Sequence, residues 1–368
     1  MTVETKKPLR VAVWSTGGIG SISIASIHKR PDLDLVGVWV HSPDKVGKDA
    51  GELANGVPIG VTTTNDVDAL LALDLDCVVY AASGPDRDAA AVPDYVKLLS
   101  PGVNVVTTSS TRLVYPPAFD PDQLAEIKAA CVAGNTSIYN SGIEPGFVLD
   151  QLPLALMTQS DTIRSIRCAE IGLYDDYPVE FVMRDAMGFG MPMEYEPFIG
   201  MPGVIVHEWS GGIRLMADAL GVELDDIVES FDKAPTKRSL EVACGAIDAG
   251  TCGAIWTKAA GIVDGREAIV IEHITRLAMD IAPDWPIGEH PVTYRVDIEG
   301  DPNMHMDLGL TLDDPARAGV PIMTSGAGAM VATAMRIVNA IPYVIDSPAG
   351  VLSSLDLPLT VPRNGLTS

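Results

Sequence analysis

Six residues, Ser15-Thr-Gly-Gly-Ile-Gly20, constrain this chain more than any other segment. They follow an apolar run, Arg10-Val-Ala-Val-Trp14, and lead into a helical pattern over residues 22–29. A glycine in such a loop lets the backbone approach a phosphate, and another lets the helix pack closely on the strand. Gly17 and Gly20 stand at those positions, while Ser15 takes the place of the first glycine of G-x-G-x-x-G. The helix start beyond the loop offers unpaired N–H groups and the positive end of its dipole. Strand, loop and helix in that order are the context the motif requires. Ser15, Thr16, Gly17, Gly18, Ile19 and Gly20 are therefore expected to cradle a dinucleotide pyrophosphate.

The segments that follow extend this reading. Apolar strand runs at 33–40, 76–81 and 103–107, and a strand starting at Ser137, alternate with helical patterns at 66–73, up to 99, and at 123–133. Strands that read as continuous apolar runs belong to a parallel sheet covered on both faces. The expected class is α/β, a Rossmann doubly wound parallel sheet. From about Asp161 the pattern changes to long strands at 165–174, 253–263, 267–277 and 292–299, with a tight Val263-Asp-Gly-Arg266 turn. That predicts an α+β second domain with an open mixed or antiparallel sheet. Between them lie a Met-, Gly- and Pro-rich stretch, 183–204, and a helix at 213–220. An apolar helix at 328–340 is expected to return to the first domain. The expected boundaries are 1–150 for the dinucleotide domain, 151–325 for a substrate and dimerisation domain, and 326–368 for the returning helix and tail.

The end of the second strand bears on the cofactor. A site specific for NAD usually places a carboxylate there for the ribose 2′-hydroxyl. This chain reads Val40-His41-Ser42-Pro43-Asp44-Lys45, and His41, Ser42 and Lys45 suit a 2′-phosphate instead. NADP(H) is the expected cofactor, with NAD(H) an alternative. Ala81, Ala82 and Ser83 (in the run Ala81-Ala-Ser-Gly-Pro85), and Thr107, Thr108 and Ser109, fall at carboxyl ends of strands, where the nicotinamide half belongs.

Charge removes several classes of partner. With 25 basic and 49 acidic side chains among 368 residues, the net charge is 25 − 49 = −24. Nucleic-acid binding needs a basic face, and docking on anionic lipid needs basic clusters. Neither partner is expected. The five cysteines form no C-x-x-C pair, which fits a reducing cytosol better than a disulfide framework. No signal-like run opens the sequence, and no uninterrupted apolar window reaches the ~20 residues of a membrane span. No metal-ligand spacing is present. The expectation is a soluble, cytoplasmic protein.

Three groups of residues carry a family resemblance: 11–20 with Ser42-Pro-Asp-Lys-Val-Gly-Lys-Asp-Ala-Gly-Glu52, then Gly142-Ile-Glu-Pro-Gly-Phe-Val-Leu-Asp150, and Met183-Arg-Asp-Ala-Met-Gly-Phe-Gly190 with Ala217-Asp-Ala-Leu-Gly-Val-Glu-Leu-Asp225 and Glu272-His-Ile-Thr-Arg276. Together they resemble the dihydrodipicolinate-reductase-like superfamily, and within it 2,4-diaminopentanoate dehydrogenase and the native amine dehydrogenases. The resemblance implies a homodimer. It also implies hydride transfer between NAD(P)H and the imine formed from a ketone or aldehyde and ammonia. It further implies a glutamate just after the strand ending near Thr107, where this chain has Thr107-Thr-Ser-Ser-Thr111.

The chemistry then needs a proton-handling group elsewhere. Glu144, fixed by Pro145-Gly146, is the preferred carboxylate, with Tyr139 and Tyr174 as acids. Glu170, Arg184, His207, Trp209 and His273, with Met187 and Phe189 of the Met-rich stretch, are candidates to contact a mainly apolar carbonyl or amine substrate. Two alternatives stay open: a carbonyl reductase that uses no ammonia, and a nucleotide-binding sensor without catalysis.

Overall fold

The structure is a computed structural model that describes residues 7–84, 87–314, 318–320, 324–363 and 365. The chain divides into two units. One comprises Met1–Phe147, Leu312–Met323 and Ala327–Ser368; the other comprises Val148–Thr311 and Thr324–Gly326.

In the first unit, strands β1 (Leu9–Trp14), β2 (Leu33–Trp39), β3 (Thr63–Thr64), β4 (Cys77–Tyr80), β5 (Asn104–Thr107) and β6 (Ser137–Asn140) form a sheet in the order β6-β5-β4-β1-β2-β3. The strand Gly350–Leu352 joins it beside β6. Every pairing is parallel. This is the doubly wound Rossmann order, with its switch point between β1 and β4. The pleat sends alternate residues of β1 to opposite faces. Val11 and Val13 join a core with Ile24, Ile27 and Val38, while Ala12 and Trp14 join another with Val78, Tyr95, Leu98 and Ile127. Local capping fixes the helices. Asp120 accepts from the N–H groups of Asp122 and Gln123, Pro121 opens the helix Pro121–Gly134, and Asn135 closes it at φ 52°.

The helix Ala327–Ile345 buries Ile337, Val338, Ile341 and Val344 in the first of these cores. Length and composition alone would let it cross a membrane. Its apolar face, however, is core of this unit, and Arg336 interrupts it with a buried charge.

The second unit is built on a six-stranded sheet. Its strands are β7 (Thr162–Leu173), β8 (Asp226–Pro235), β11 (Cys252–Val263), β12 (Arg266–Arg276), β13 (Val292–Asp301) and β14 (Met304–Gly309), and β9 (Leu240–Val242) pairs separately with β10 (Gly245–Ile247). The order is β14-β13-β7-β12-β11-β8. β7 and β12 run parallel and the other neighbours antiparallel, so the sheet is mixed. The β11–β12 turn has Asp264 at φ 51° and Gly265 at φ 72°, the twist a two-residue hairpin needs.

The helix Val204–Leu220 packs on this sheet. A Cβ on Gly261 would lie 2.6 Å from Ile213 Cγ2, so glycine permits the close approach. The sequence reading starts this helix at residue 213. The structure starts it at Val204, because the Glu229 carboxylate on β8 accepts from the N–H groups of Gly203 and Val206. That cap comes from a different element and leaves no local signature.

Candidate functional site

The last residues of β1, β2 and β4 are Trp14, Trp39 and Tyr80. Trp14 stacks on Trp39 at 4.2 Å between ring centroids and leans on Tyr80 at 5.4 Å, and Tyr80 meets Tyr95 edge-on at 5.0 Å. This aromatic row floors the carboxyl edge of the sheet. Trp39 Nε1 is buried there without a hydrogen-bond partner. The loop rises above the row. Ser15 takes φ 106°, its Oγ accepts from the Gly17 N–H at 3.2 Å, and a Cβ on Gly20 would run into the Ser15 carbonyl oxygen. Gly20 therefore serves helix–strand packing. A Cβ on Gly17 would meet only Ser15 Oγ, at 3.5 Å, so nothing inside the unit demands glycine at that position.

The helix beyond, Gly18–Lys29, has no side-chain cap and no acid in its first turn. Its leading N–H groups remain available to an anion. Lys45 donates to Thr16 Oγ1 at 3.0 Å, which holds an ammonium over the loop. His41 is exposed, with its ring 6.2 Å from Trp39, and Ser42 is half-buried. These residues fit a phosphate-bearing dinucleotide: open N–H groups, a placed cation and an unfilled donor at the edge.

Residues assigned to the nicotinamide half need sorting. Thr107 is fully buried; its Oγ1 lies 3.0 Å from the Tyr95 hydroxyl and accepts from the Ser109 N–H at 3.0 Å. Ser109 donates to the Ala82 carbonyl oxygen at 2.6 Å. Both hydroxyls knit neighbouring loops together and face the interior, which corrects their reading as ligand contacts. Thr108 is half-buried, and Ala81, Ala82 and Ser83 lie on the loop after β4. Pro85 lies outside the described residues.

Tyr139 is likewise corrected. It is fully buried, its hydroxyl lies 2.9 Å from Ser354 Oγ, and it accepts from Arg336, which also donates to Ser141 and Thr360. That network ties the C-terminal segment to β6 and gives the tyrosine a structural role, not that of an acid. Glu144 is half-buried in the turn after β6, which closes through a Phe147 N–H to Gly142 carbonyl bond of 2.9 Å. A Thr333 hydroxyl also accepts from the Ile143 N–H.

In the second unit, strand register assembles a polar group. Glu170 on β7 pairs with His273 on β12 and with Tyr294 on β13, so all three stand in one row across the sheet. Tyr174 donates to Glu170 Oε1 at 2.7 Å, and His273 Nε2 lies 3.2 Å from the same oxygen. Thr275 Oγ1 lies 2.9 Å from His273 Nδ1, and the Trp209 ring lies 5.9 Å from the imidazole. Gly172 makes the arrangement possible, since a Cβ there would lie 2.7 Å from the Tyr174 ring. Burial pushes the Glu170 carboxyl up. His273 beside it, with hydrogen bonds from His273, Tyr174 and Tyr294, outweighs that and holds it below the ordinary value. The unit thus keeps an ionised carboxylate among aromatic rings.

Other expected substrate contacts are elsewhere. Phe189 is fully buried and Met187 half-buried against one apolar cluster with Met183, Leu240, Ile247 and Leu277. The Gly and Pro residues let that stretch fold back on itself, and Tyr174 packs against the same cluster. Arg184 lies 3.2 Å from Glu180 and donates to the Ala246 carbonyl oxygen at 2.9 Å. It therefore braces the β9–β10 region and does not meet the Glu170 group. His207 is exposed on the helix that also carries Trp209. The sequence reading did not include Tyr294, Thr275 or Gly172. Alternation along β13 marks Tyr294 as inward, but its neighbour across the sheet is set by register.

A Rossmann sheet with an open phosphate loop, joined in one chain to a mixed-sheet unit holding a buried acid–base group, defines an NAD(P)-dependent dehydrogenase. Residues 147–366 match the 2,4-diaminopentanoate dehydrogenase C-terminal domain. An amine dehydrogenase of Streptomyces virginiae is 38% identical over 95% of this chain and 96% of its own length. The 2,4-diaminopentanoate dehydrogenase of Acetoanaerobium sticklandii is 26% identical over 71% of this chain and 67% of its own. The solved amine dehydrogenase of Mycobacterium smegmatis shares the fold, with a TM-score of 0.74 at 22% identity over 97% of this chain and 98% of that one. The chain belongs to the family of 2,4-diaminopentanoate dehydrogenase and the amine dehydrogenases.

Proposed function

We propose that this protein reductively aminates a ketone or aldehyde on a mainly apolar small molecule with ammonia, taking NADPH in preference to NADH. The observation that carries the reading is the buried Glu170 carboxyl, which accepts from Tyr174 at 2.7 Å and lies 3.2 Å from His273 Nε2. A carboxylate so placed attracts ammonium and steadies the positive charge of an iminium. Bound nicotinamide supplies the hydride. Tyr174 orients the carboxylate through its hydroxyl, and Thr275 holds the His273 ring. Glu144 is proposed as the carboxylate that accepts a proton from ammonium. Lys45 would meet the 2′-phosphate, which favours NADPH, while the start of the Gly18–Lys29 helix would bind the pyrophosphate of either cofactor. All five cysteines are buried and none forms a disulfide, which supports a cytoplasmic setting, and a homodimer is proposed from the family resemblance.

The experiment is NADPH oxidation with a panel of ketones and aldehydes, with and without ammonia. Ammonia-dependent turnover with amine product is expected, faster with NADPH than with NADH. Glu170→Gln and Glu144→Gln should each lower kcat by about 100-fold, the size of a lost acid–base contribution. Intact turnover in either variant removes that residue from the mechanism. A second reading is favoured by the 107–111 stretch, whose side chains include hydroxyls but no carboxylate. It is carbonyl reduction, and it predicts NADPH oxidation to the alcohol without ammonia.

A further inference from the structure

Arg87 is a cation at the nucleotide edge that the glycine loop does not explain. It opens a short helix just past the loop that follows β4. Its guanidinium turns back to the sheet, with Nη1 3.3 Å from the Tyr80 hydroxyl and Nη2 3.5 Å from the Ser83 carbonyl oxygen. Both contacts are at the long limit of a hydrogen bond. Nε is buried and has no partner. No carboxylate among the described residues lies within the 4.0 Å of an ion pair. Of the two acids nearest in sequence among those residues, Asp88 lies 3.0 Å from Arg112 Nε, and Asp94 reaches Arg87 only through the Tyr80 hydroxyl, from which it accepts at 2.6 Å. Gly84, at φ 145°, leaves the space beside Nη2 open, since a Cβ there would come within 3.3 Å of it. In a chain with nearly two acids per base, a part-buried guanidinium with no ion pair among the described residues is set up for an anion from outside.

We infer that Arg87 binds the pyrophosphate of the dinucleotide, and not its 2′-phosphate. The inference rests on the nucleotide reading above. Topology chooses the phosphate. β4 flanks β1 on the side away from β2, and the pyrophosphate crosses the sheet at that β1/β4 switch. The 2′-phosphate residues follow β2, two strands and about 10 Å away. The planar fork of an arginine matches two phosphate oxygens at once. Lys45 and Arg87 then stand on opposite sides of the glycine loop, one for each end of the charge.

Calorimetric binding of NADPH, NADH and ADP-ribose to wild type, Arg87→Gln and Arg87→Lys tests this. Arg87→Gln should weaken all three ligands by one common factor, about tenfold or more, as expected for a lost charge-assisted hydrogen bond. Arg87→Lys should recover part of the loss, and the ligand-free melting temperature should stay that of wild type. Unchanged affinities would overturn the inference. A loss confined to NADPH would overturn it in favour of the 2′-phosphate. A loss that spares ADP-ribose would overturn it in favour of the nicotinamide end. Failure of the wild-type protein to bind any of the three would instead defeat the nucleotide reading itself.

Discussion

Glu170 keeps only 6% of its surface exposed, and an ionised carboxylate there survives only with partners. The His273, Tyr174 and Tyr294 contacts supply them and lower its pKa in the folded state. A lowered carboxylate pKa stabilises the fold above the unfolded value and ceases to do so as pH falls through the folded one. Stability contributed by this group is therefore complete above the ordinary 4.5 and fades as the solution is acidified below it. Melting temperatures measured from neutral pH into the acid range should show that decline, and Glu170→Gln should flatten it. At this scale the sequence was uneven. The strand–loop–helix order around Gly17 and Gly20 was legible because that segment is contiguous. The Glu170 row was not, because Glu170, His273 and Tyr294 are neighbours only through the register of three strands. Thr107 and Tyr139 were misread for the converse reason: a strand end marks a position but not the direction of its hydroxyl.

Elements were read best where their stop and start signals are local. The Asp264-Gly265 turn is of that kind. The helix Val204–Leu220 is not, since its first turn depends on Glu229 from β8. Removing that carboxylate by Glu229→Ala should cost about 1–2 kcal/mol, the value of a strong N-cap, as a lower urea midpoint with unchanged slope. Far-ultraviolet circular dichroism should show a slightly shorter helix. The Met-, Gly- and Pro-rich stretch shows the limit of a local pattern: Met187, Phe189, Met191, Met193 and Tyr195 alternate at a period of 2, yet the segment forms no strand. The fold instead packs Met187 and Met193 around Phe189 and Met183.

Across the whole molecule, the charge of −24 and the choice of an anionic cofactor are reconciled by placement. Lys45 reaches the loop from one side and Arg87 the sheet edge from the other, neither with an acid of its own among the described residues. The chain also interrupts its first unit with its second, and the core of the first includes Ile337, Val338, Ile341 and Val344 from beyond the interruption. During synthesis the ribosome thus delivers every residue of the second unit before it delivers this closing helix. A nascent first unit must wait, with one face of its sheet only partly covered, until the last stretch emerges. A chain ended before Ala327 should accordingly fail to give a protease-resistant nucleotide unit, while protection of the second unit persists. Limited proteolysis of the shortened and full-length proteins reads that difference directly. The order in which the polypeptide is made thereby sets the order in which its parts can become finished, and the unit that carries the glycine loop is finished last.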